Sequence, residues 1–349
     1  MSAQKEEKKK LKKSTKVILI IVSVILALIL AAMIAVVIWG KSLLSLIPRL
    51  GPDEATLSQA EIESLQNETD PYDPNFTGPY YNSDEVDMPD AADNVENSDN
   101  IIHIMLVGQD RRPGQGRQRS DAMILCTINK DTKTLTMTSF MRDLWVRIPG
   151  YYDERLNVPY PIGGFHLLNK TMEYQFGIHA DYNVEVDFSG FEGVVNALGG
   201  VRIKLSSSEA YILNKANNWG LTEGVNTLNG QQALAYARIR NIDSDFNRTN
   251  RQRVVLGAVV EQMRGKSVTE LNNLARTILP MVTTDMTDAQ IMKLILELAP
   301  ILPDLQVESQ RIPIDDAYTL ANIDGKSVIL LSPENLEKNR QFIKNTLGE

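Results

Sequence analysis

One apolar stretch that ends in a glycine and an acid decides how the rest of the chain is interpreted: Ile101-Ile102-His103-Ile104-Met105-Leu106-Val107-Gly108-Gln109-Asp110. Its first seven residues are rich in Ile, Leu and Val and have the length of a buried strand. Two further apolar runs follow at 122–128 and 134–140, separated by a polar turn at 129–133. The spacing predicts three consecutive strands of one sheet.

Strand-like and helix-like patterns alternate through the remainder of the chain. Strands are predicted at 144–148, 181–186, 201–205 and 307–314. Helices are predicted at 165–176, 188–198, 229–238, 249–263, 268–278, 288–298 and 333–347. This alternation predicts the α/β class, with a mixed central β-sheet flanked by helices on both faces in an α-β-α arrangement.

The N-terminus predicts a transmembrane helix. Residues 17–39 carry no charge and would span about 34 Å as a helix, against a bilayer core of about 30 Å. A cleaved signal peptide is the alternative, but its apolar core would be shorter, about 7–15 residues. The lysines concentrate before the run, at positions 5, 8, 9, 10, 12, 13 and 16, which predicts a cytoplasmic N-terminus.

The next stretch is acidic. Between 51 and 100 there is no Lys or Arg, and prolines recur, which is typical of an extended chain that repels itself. We therefore divide the chain into a cytoplasmic basic tail (1–16), a transmembrane helix (17–39), an acidic extracellular stalk (40–100) and an extracellular domain (101–349). Cys126 is the only cysteine and lies in an apolar run, which predicts a small buried side chain. An exported domain without disulfides favours a bacterial cell-membrane protein.

Two carboxylates and four arginines lie in the loop between the first two predicted strands. Asp110 follows the first strand, and Arg119 and Asp121 precede the second. Mg²⁺ prefers one or two carboxylates together with phosphate oxygens and water, so this set suits a divalent cation bound to a phosphate. A polar turn whose charges pair with one another is the simpler alternative.

Arginines dominate two later clusters. Arg142-Asp143 follows the third strand, where it forms either an internal ion pair or a phosphate clamp beside a proton acceptor. Five arginines then fall between 238 and 253, and Arg248 lies where a helix begins, a position that favours anions. Arginine in place of lysine favours two-point binding of phosphate oxygens. The alternative for such a run is a solvated basic face. Extracellular topology and the net charge of -8 argue against nucleic acid.

Taken in order, these motifs resemble those of the LytR-CpsA-Psr family of bacterial cell-wall proteins. The matching stretches are 104–110, Arg119-Ser120-Asp121, Ser139-Phe140-Met141-Arg142-Asp143, 170–173, 186–191, 197–201, 228–238 and 243–252. The resemblance covers roughly residues 101–265. It departs from the usual family pattern at Gln109, Met141, Asn229 and Asn247, none of which replaces a matched charged residue.

The resemblance implies a phosphotransferase that moves an anionic glycopolymer from an undecaprenyl-diphosphate carrier to peptidoglycan, forming a phosphodiester. It implies Mg²⁺, or Mn²⁺ in its place, at Asp110 and Asp121. The residues matching the family's diphosphate-binding positions are Arg119, Arg142, Arg238, Arg240, Arg248 and Gln252. Asp143 is the predicted base, and Arg142, Arg240 and Arg248 complete the predicted catalytic set. The family fold adds an apolar tunnel for the polyprenyl chain.

The sequence leaves two alternative functions open and excludes a third. A scaffold that binds polyprenyl diphosphate without chemistry, and a pyrophosphatase that uses water in place of an acceptor, need the same phosphate-binding residues. A membrane-tethered transcription regulator is excluded, because a cytoplasmic part of about 16 residues is too small for a DNA-binding fold. We therefore expect the membrane, the lipid-linked glycan and peptidoglycan as partners, and no nucleic acid.

Overall fold

The computed structural model describes residues 40–42, 44–48, 57–71, 73–93, 98–111, 115–239, 245–264 and 266–347. The chain divides into two units, Met1–Leu46 and Ile47–Glu349. The predicted basic tail and transmembrane helix lie outside the described residues. Among the residues that are described, no helix combines the length and the apolarity needed to cross a bilayer.

The second unit alternates helices and strands. Its helices are α1 (Gln59–Gln66), α2 (Pro159–Phe176), α3 (Phe188–Ala197), α4 (Ser207–Asn217), α5 (Gly230–Ala237), α6 (Asp245–Arg264), α7 (Val268–Ile278), α8 (Asp288–Leu298) and α9 (Pro333–Leu347). Its longer strands are β2 (Ile101–Gln109), β3 (Ser120–Asn129), β4 (Thr134–Phe140), β7 (Tyr182–Asp187), β8 (Val201–Leu205), β9 (Gly224–Leu228), β11 (Gln306–Ile312), β12 (Thr319–Ile323) and β13 (Lys326–Leu330). The two-residue strands are β1 (Tyr80–Tyr81), β5 (Trp145–Val146), β6 (Glu154–Arg155) and β10 (Thr283–Thr284).

The central sheet has six strands in the order β10-β7-β2-β3-β4-β11. The three strands β2, β3 and β4 form an antiparallel meander, whereas β7 and β11 join its two sides in parallel. The mixed sheet predicted from the sequence is therefore confirmed. Smaller sheets are formed by β8 with β9, by β5 with β6, and by β1, β12 and β13.

Helices cover both faces of the central sheet. Met105 and Leu125 point to one face, where Leu168 of α2 and Leu336 of α9 belong to the same buried cluster. Alternate residues such as Ile102 and Cys126 face the other side, where α6 and α8 pack. Cys126 is buried and free, as predicted. The alternation is the two-residue period of a strand that is covered on both faces.

The register of the meander places the loop residues. A register shift between Gly108 and Gln109 interrupts the β2–β3 ladder just before Asp110. Bulges of this kind bend a strand and redirect the side chains that follow it. Because β2 and β4 run one way and β3 the other, the residues after β2, before β3 and after β4 meet at one edge of the sheet.

Part of the predicted stalk is packed on the folded unit. Helix α1 begins at a capping box formed by Ser58 and Glu61, and Ile62 is buried in the main core cluster. Tyr152 Oη donates a hydrogen bond to the Ile62 carbonyl at 3.2 Å, and β1 pairs in parallel with β12. Residues 57–71 and 73–93 therefore differ from the extended stalk that their acidic composition predicted, because a few well-placed apolar and paired side chains offset the average.

Other element predictions meet mixed outcomes. The bounds predicted for β8, α7, α8 and α9 are confirmed. The strand predicted at 144–148 is reduced to β5, which pairs with β6. Helix α2 starts six residues before its predicted start at 165, since non-helical angles at Gly163 and Gly164 divide it without ending it. Helix α4 and the strands β9, β12 and β13 were not predicted.

Candidate functional site

A polar cavity of about 650 Å³ lies at the edge where β2, β3 and β4 meet. Residues from both sequence clusters of the meander, the loop after β2 and the residues after β4, line it: Asp110, Arg119, Asp121, Arg142 and Asp143. The antiparallel meander explains the convergence, because each of these residues lies at the same edge of the sheet. The structure thus brings the predicted metal carboxylates, two predicted phosphate ligands and the predicted base into one space.

Arg142 lies between two carboxylates of this cavity. Its Nη1 donates to Asp121 Oδ1 at 2.8 Å, and its Nε lies 3.5 Å from Asp143 Oδ2. All three side chains are about three-quarters buried, so their interactions are screened less than those of surface charges. The guanidinium therefore sits beside both the predicted metal ligand and the predicted base.

Arg119 meets a carboxylate that comes from outside the meander. Its Nη1 and Nη2 lie 3.2 Å and 2.5 Å from Oε1 and Oε2 of Glu68, which follows α1. The contact is a two-point pair between a guanidinium and a carboxylate. Glu68 itself lines the polar cavity, together with Glu61 and Ser64 of α1.

A second cavity, of about 550 Å³, adjoins the first and is mainly apolar. The sheet, α3, α6 and the end of α7 supply apolar walls of this cavity, among them Leu106, Ile124, Phe191, Val194, Leu256 and Ile278. Asp121 lines both cavities, so they meet at this side chain. Volumes of about 300–1,000 Å³ are typical of ligand pockets.

Polar side chains border the apolar cavity near this junction. Arg238, Arg248 and Gln252 line it. Arg238 lies 4.4 Å above the Phe188 ring and 4.0 Å from Asp110 Oδ2, which links it to the polar cavity as well. Arg248 is only 2% exposed. The Gln252 Oε1 atom is buried and accepts no hydrogen bond within the described part of the chain. Arg240 lies outside the described residues.

The remaining arginines of this run have other partners. Arg251 pairs with Glu209 of α4 at 2.8 Å and donates to the Ile239 carbonyl at 3.2 Å. Burial, with nearby Arg311, lowers the pKa of Arg253 to about 10. Neither arginine lines a cavity named above. Among the described arginines of this run, Arg238 and Arg248 therefore lie beside the apolar cavity, whereas Arg251 links α6 to α4.

The donor set at Asp110 and Asp121 was tested for its fit to a divalent cation. Over the described ranges, no three His, Cys, Asp or Glu side chains are grouped as a metal site. Mg²⁺ commonly takes one or two carboxylates and completes its shell with phosphate oxygens and water. Two carboxylates lining one cavity fit an ion that is bound together with a phosphate, and do not suffice for a metal held by protein alone.

Sequence reasoning missed the wall that segment 57–71 adds to the polar cavity. Glu61, Ser64, Glu68 and Asp70 line it, yet they precede the predicted domain. The capping-box pattern Ser58-x-x-Glu61 signals the helix, but no local pattern signals that Glu68 meets Arg119 51 residues later.

A buried cluster beside the loop after β2 was also missed. Arg111 Nη2 lies 3.1 Å from Glu185 Oε1, and the Tyr160 hydroxyl donates to the other oxygen of the same carboxylate. Burial, and then the charge of Glu185, raise the pKa of Tyr160 well above its ordinary value. The cluster ties the residue after Asp110 to β7, which fixes the start of the loop.

Comparisons with known proteins show which family this chain resembles. The LytR_cpsA_psr family model matches residues 75–345. Regulatory protein MsrR of Staphylococcus aureus is 32% identical over 258 residues, which is 72% of this chain and 76% of MsrR. The polyisoprenyl-teichoic acid–peptidoglycan teichoic acid transferase TagT of Bacillus subtilis is 39% identical over 171 residues, covering 47% of this chain and 53% of TagT.

The fold is shared with a solved structure of TagT that holds an octaprenyl pyrophosphate lipid. The TM-score is 0.55 and the identity 27%, over 74% of this chain and 97% of the TagT chain. Residues 75–345, which the family model matches, contain the meander and the arginine-bearing helices. On the family model, the sequence relatives and the fold together, this chain belongs to the LytR-CpsA-Psr family.

Proposed function

We propose that this protein transfers an anionic glycopolymer from an undecaprenyl-diphosphate carrier to peptidoglycan, forming a phosphodiester. The observation that carries the proposal is the junction of a charged cavity and an apolar cavity at Asp121. A lipid diphosphate has the matching division, with a charged head and an apolar tail. TagT, a relative by sequence and by fold, is named for such a transfer and has been solved with a polyprenyl pyrophosphate.

In this proposal, the residues that line the two cavities have different roles. The apolar walls would hold the polyprenyl chain, while Arg119, Arg142, Arg238, Arg248 and Gln252 would hold the diphosphate at the junction. Arg240 completes this set in the proposal, on its position in the sequence motif. Positioning and charge stabilisation supply most of the catalysis of phosphoryl transfer, so a group of arginines around the diphosphate suits the reaction.

The proposed transfer is a single displacement at phosphorus. A hydroxyl oxygen of the peptidoglycan acceptor bonds to the phosphorus that carries the glycan, and the bond from that phosphorus to the bridging oxygen breaks. The lipid monophosphate leaves, and the hydroxyl proton passes to Asp143. Arg142, beside Asp143 and Asp121, would balance the charge that grows on the leaving phosphate. Mg²⁺ or Mn²⁺ bound at Asp110 and Asp121 would neutralise phosphate charge.

The proposal includes the placement of the protein. We propose a single-pass protein of the bacterial cell membrane, with residues 1–16 in the cytoplasm and the folded unit outside. The support is the uncharged run 17–39 and the lysines before it. The anchor would keep the site close to a carrier confined to the same bilayer. Protease added to intact cells should then degrade the folded unit and spare the N-terminal tail.

Transfer of a labelled lipid-diphosphate glycan to peptidoglycan by the full chain tests the activity. Arg142→Ala removes a positive charge beside the reacting phosphates, and Asp121→Ala removes a ligand of the proposed cation, so each change should lower the rate by about 10²–10³. Arg202→Ala, at an exposed position of β8, is the matched control. Free phosphorylated glycan in the absence of acceptor would instead indicate a pyrophosphatase, and stoichiometric binding without turnover a scaffold.

A further inference from the structure

The pair between Arg119 and Glu68 has the geometry that a guanidinium uses for a phosphate. Both terminal nitrogens of Arg119 are engaged, at 3.2 Å and 2.5 Å, by the two oxygens of one carboxylate. Two parallel contacts of this kind are also how arginine binds phosphate oxygens. In this structure, Glu68 therefore occupies the positions that a phosphate bound to Arg119 would need.

The backbone on either side of Glu68 is firmly held. Two residues before it, the Gln66 carbonyl accepts from the buried Lys326 Nζ at 2.8 Å. Two residues after it, the Asp70 amide donates to the Gly325 carbonyl at 3.0 Å, and the Asp70 carboxylate accepts from Arg155 Nη1 at 3.0 Å and from the Ser327 amide at 2.7 Å. The Glu68 carboxylate is thus held beside Arg119. It can move away only by rotation about its own side-chain bonds.

The pair is exposed enough to be replaced. The side chain of Glu68 is 50% exposed and that of Arg119 is 25% exposed. Ion pairs this accessible are weak, because water and salt screen them. A diphosphate brings more charge to Arg119 than one carboxylate does, so it can displace Glu68 without any movement of the backbone.

We propose that Glu68 competes with the donor diphosphate for Arg119 and so lowers the apparent affinity of the donor site. The inference rests on the proposed function, in that Arg119 binds the donor. Glu68 is a positioning residue, since it acts through Arg119. It lies outside the motifs on which the family resemblance rests, in the segment that precedes β1.

Binding of farnesyl diphosphate to the detergent-solubilised full chain, with Mg²⁺ present, tests the inference by calorimetry. Glu68→Gln keeps the shape of the side chain and removes its charge, so we expect a two- to fivefold tighter Kd, about the worth of an exposed ion pair. A merely structural pair predicts unchanged or weaker binding. The same variant should lower KM for the donor more than it changes kcat.

Two controls isolate the effect. Glu63→Gln removes one charge from α1 at a side chain that pairs with Gln59 and does not line the cavity, so Kd should stay unchanged. In an Arg119→Gln background, Glu68→Gln should have no further effect on Kd. Thermal unfolding of each variant reports whether it is folded. Glu68→Asp places the carboxylate farther from Arg119, because its side chain is one methylene shorter, and should give an intermediate Kd.

The outcomes separate the two proposals. Wild-type chain that binds farnesyl diphosphate, with a Kd that Glu68→Gln leaves the same or weakens, overturns the competition alone. A chain that binds no farnesyl diphosphate, in the wild type and in Glu68→Gln alike, overturns the proposed function and this inference together. A gain of affinity in Glu63→Gln equal to that in Glu68→Gln would mean a general charge effect and would also overturn the competition.

Discussion

Arg142 contacts the carboxylates of Asp121 and Asp143, which have different roles in the proposed reaction. Asp121 receives the closer contact, at 2.8 Å, and also borders the apolar cavity, which places it beside the lipid phosphate. Asp143 is the more distant partner, at 3.5 Å, and lines only the polar cavity of the two, where an acceptor would enter. The position of Asp143 favours it as the proton acceptor.

Asp143→Asn should therefore separate catalysis from binding. We expect the transfer rate to fall by about 10²–10⁴, the usual worth of a general base, while Kd for farnesyl diphosphate changes less than about twofold. Asp131→Asn, in the exposed turn between β3 and β4, is the control. Single-turnover transfer measures the rate and calorimetry measures Kd. If Asp143→Asn transfers at the wild-type rate, the base is another group.

His103 gives a prediction on pH that does not involve the reaction. Its ring is buried in β2 against Thr127, and burial lowers its pKa below the usual 6.5, although the charge of Asp181 opposes the shift. The unfolded imidazole then takes up a proton at a higher pH than the folded one. The contribution of His103 to the free energy of unfolding is therefore fully present above about pH 6.5. It is lost as pH falls toward the pKa of His103 in the folded protein.

Urea unfolding between pH 7.5 and 5.5 checks this expectation. The free energy of unfolding of the wild-type chain should decline more steeply as pH falls than that of His103→Asn, which cannot take up the proton. The comparison of slopes removes the contributions of the carboxylates, which both chains share. Parallel pH profiles would show that His103 is protonated as readily in the folded protein as in the unfolded chain.

At the scale of elements, capping and turn residues account for what sequence patterns can and cannot predict. Helices α7 and α8 match their predicted bounds and begin at capping boxes, Ser267 with Glu270 and Thr287 with Gln290. The hairpin of β12 and β13 turns at Asp324-Gly325, where both residues have positive φ. An Asp-Gly pair is a strong hairpin signal, so this element was predictable from local sequence although it was missed.

Two helical glycines should respond in opposite ways to the same substitution. A Cβ at Gly230 would clash with the Glu192 carbonyl group, where α5 begins against α3. Backbone cannot yield cheaply, so Gly230→Ala should destabilise the protein by about 1–3 kcal/mol. Gly257 lies within α6, where a Cβ would come no closer than 3.8 Å to its neighbours. Gly257→Ala should therefore stabilise by about 0.5–1 kcal/mol.

Chemical denaturation of both variants and the wild type measures the difference. Helices α3 and α5 also line the apolar cavity through Val194 and Leu234, so Gly230→Ala should weaken the binding of farnesyl diphosphate as well. Gly257→Ala should leave that binding unchanged. Equal stabilities of the two variants would mean that α3 and α5 separate more easily than their packing indicates.

At the scale of the whole molecule, strand direction was enough to anticipate half of the site. Three strands with alternating directions had to bring Asp110, Asp121 and Arg142 to one edge of the sheet. The sequence could not tell which arginines between 238 and 253 face the cavities, because Arg251 is turned away by its ion pair with the distant Glu209. Nor could it place Glu68, whose partner is fixed only by the tertiary fold.

The segment before the central sheet is therefore expected to be part of the folded unit in solution. A fragment of residues 101–349 loses the buried Ile62, the Asp70 partner of Arg155 and the contact of Lys326 with Gln66. Arg155 and Lys326 are nearly buried, and a buried charge that loses a partner is costly. Relative to residues 57–349, we expect the Tm to fall by at least about 3 °C, which corresponds to about 2 kcal/mol at this size.

Differential scanning calorimetry of the two fragments measures this difference. Asp70→Asn in the longer fragment is the one-residue counterpart and should reproduce part of the loss, because Arg155 keeps its contact with Glu154. The shorter fragment should also bind farnesyl diphosphate more weakly, because it lacks the wall of the polar cavity that carries Glu61 and Ser64. Equal Tm values would show that residues 57–93 add nothing to the stability of the domain, as an extended stalk would.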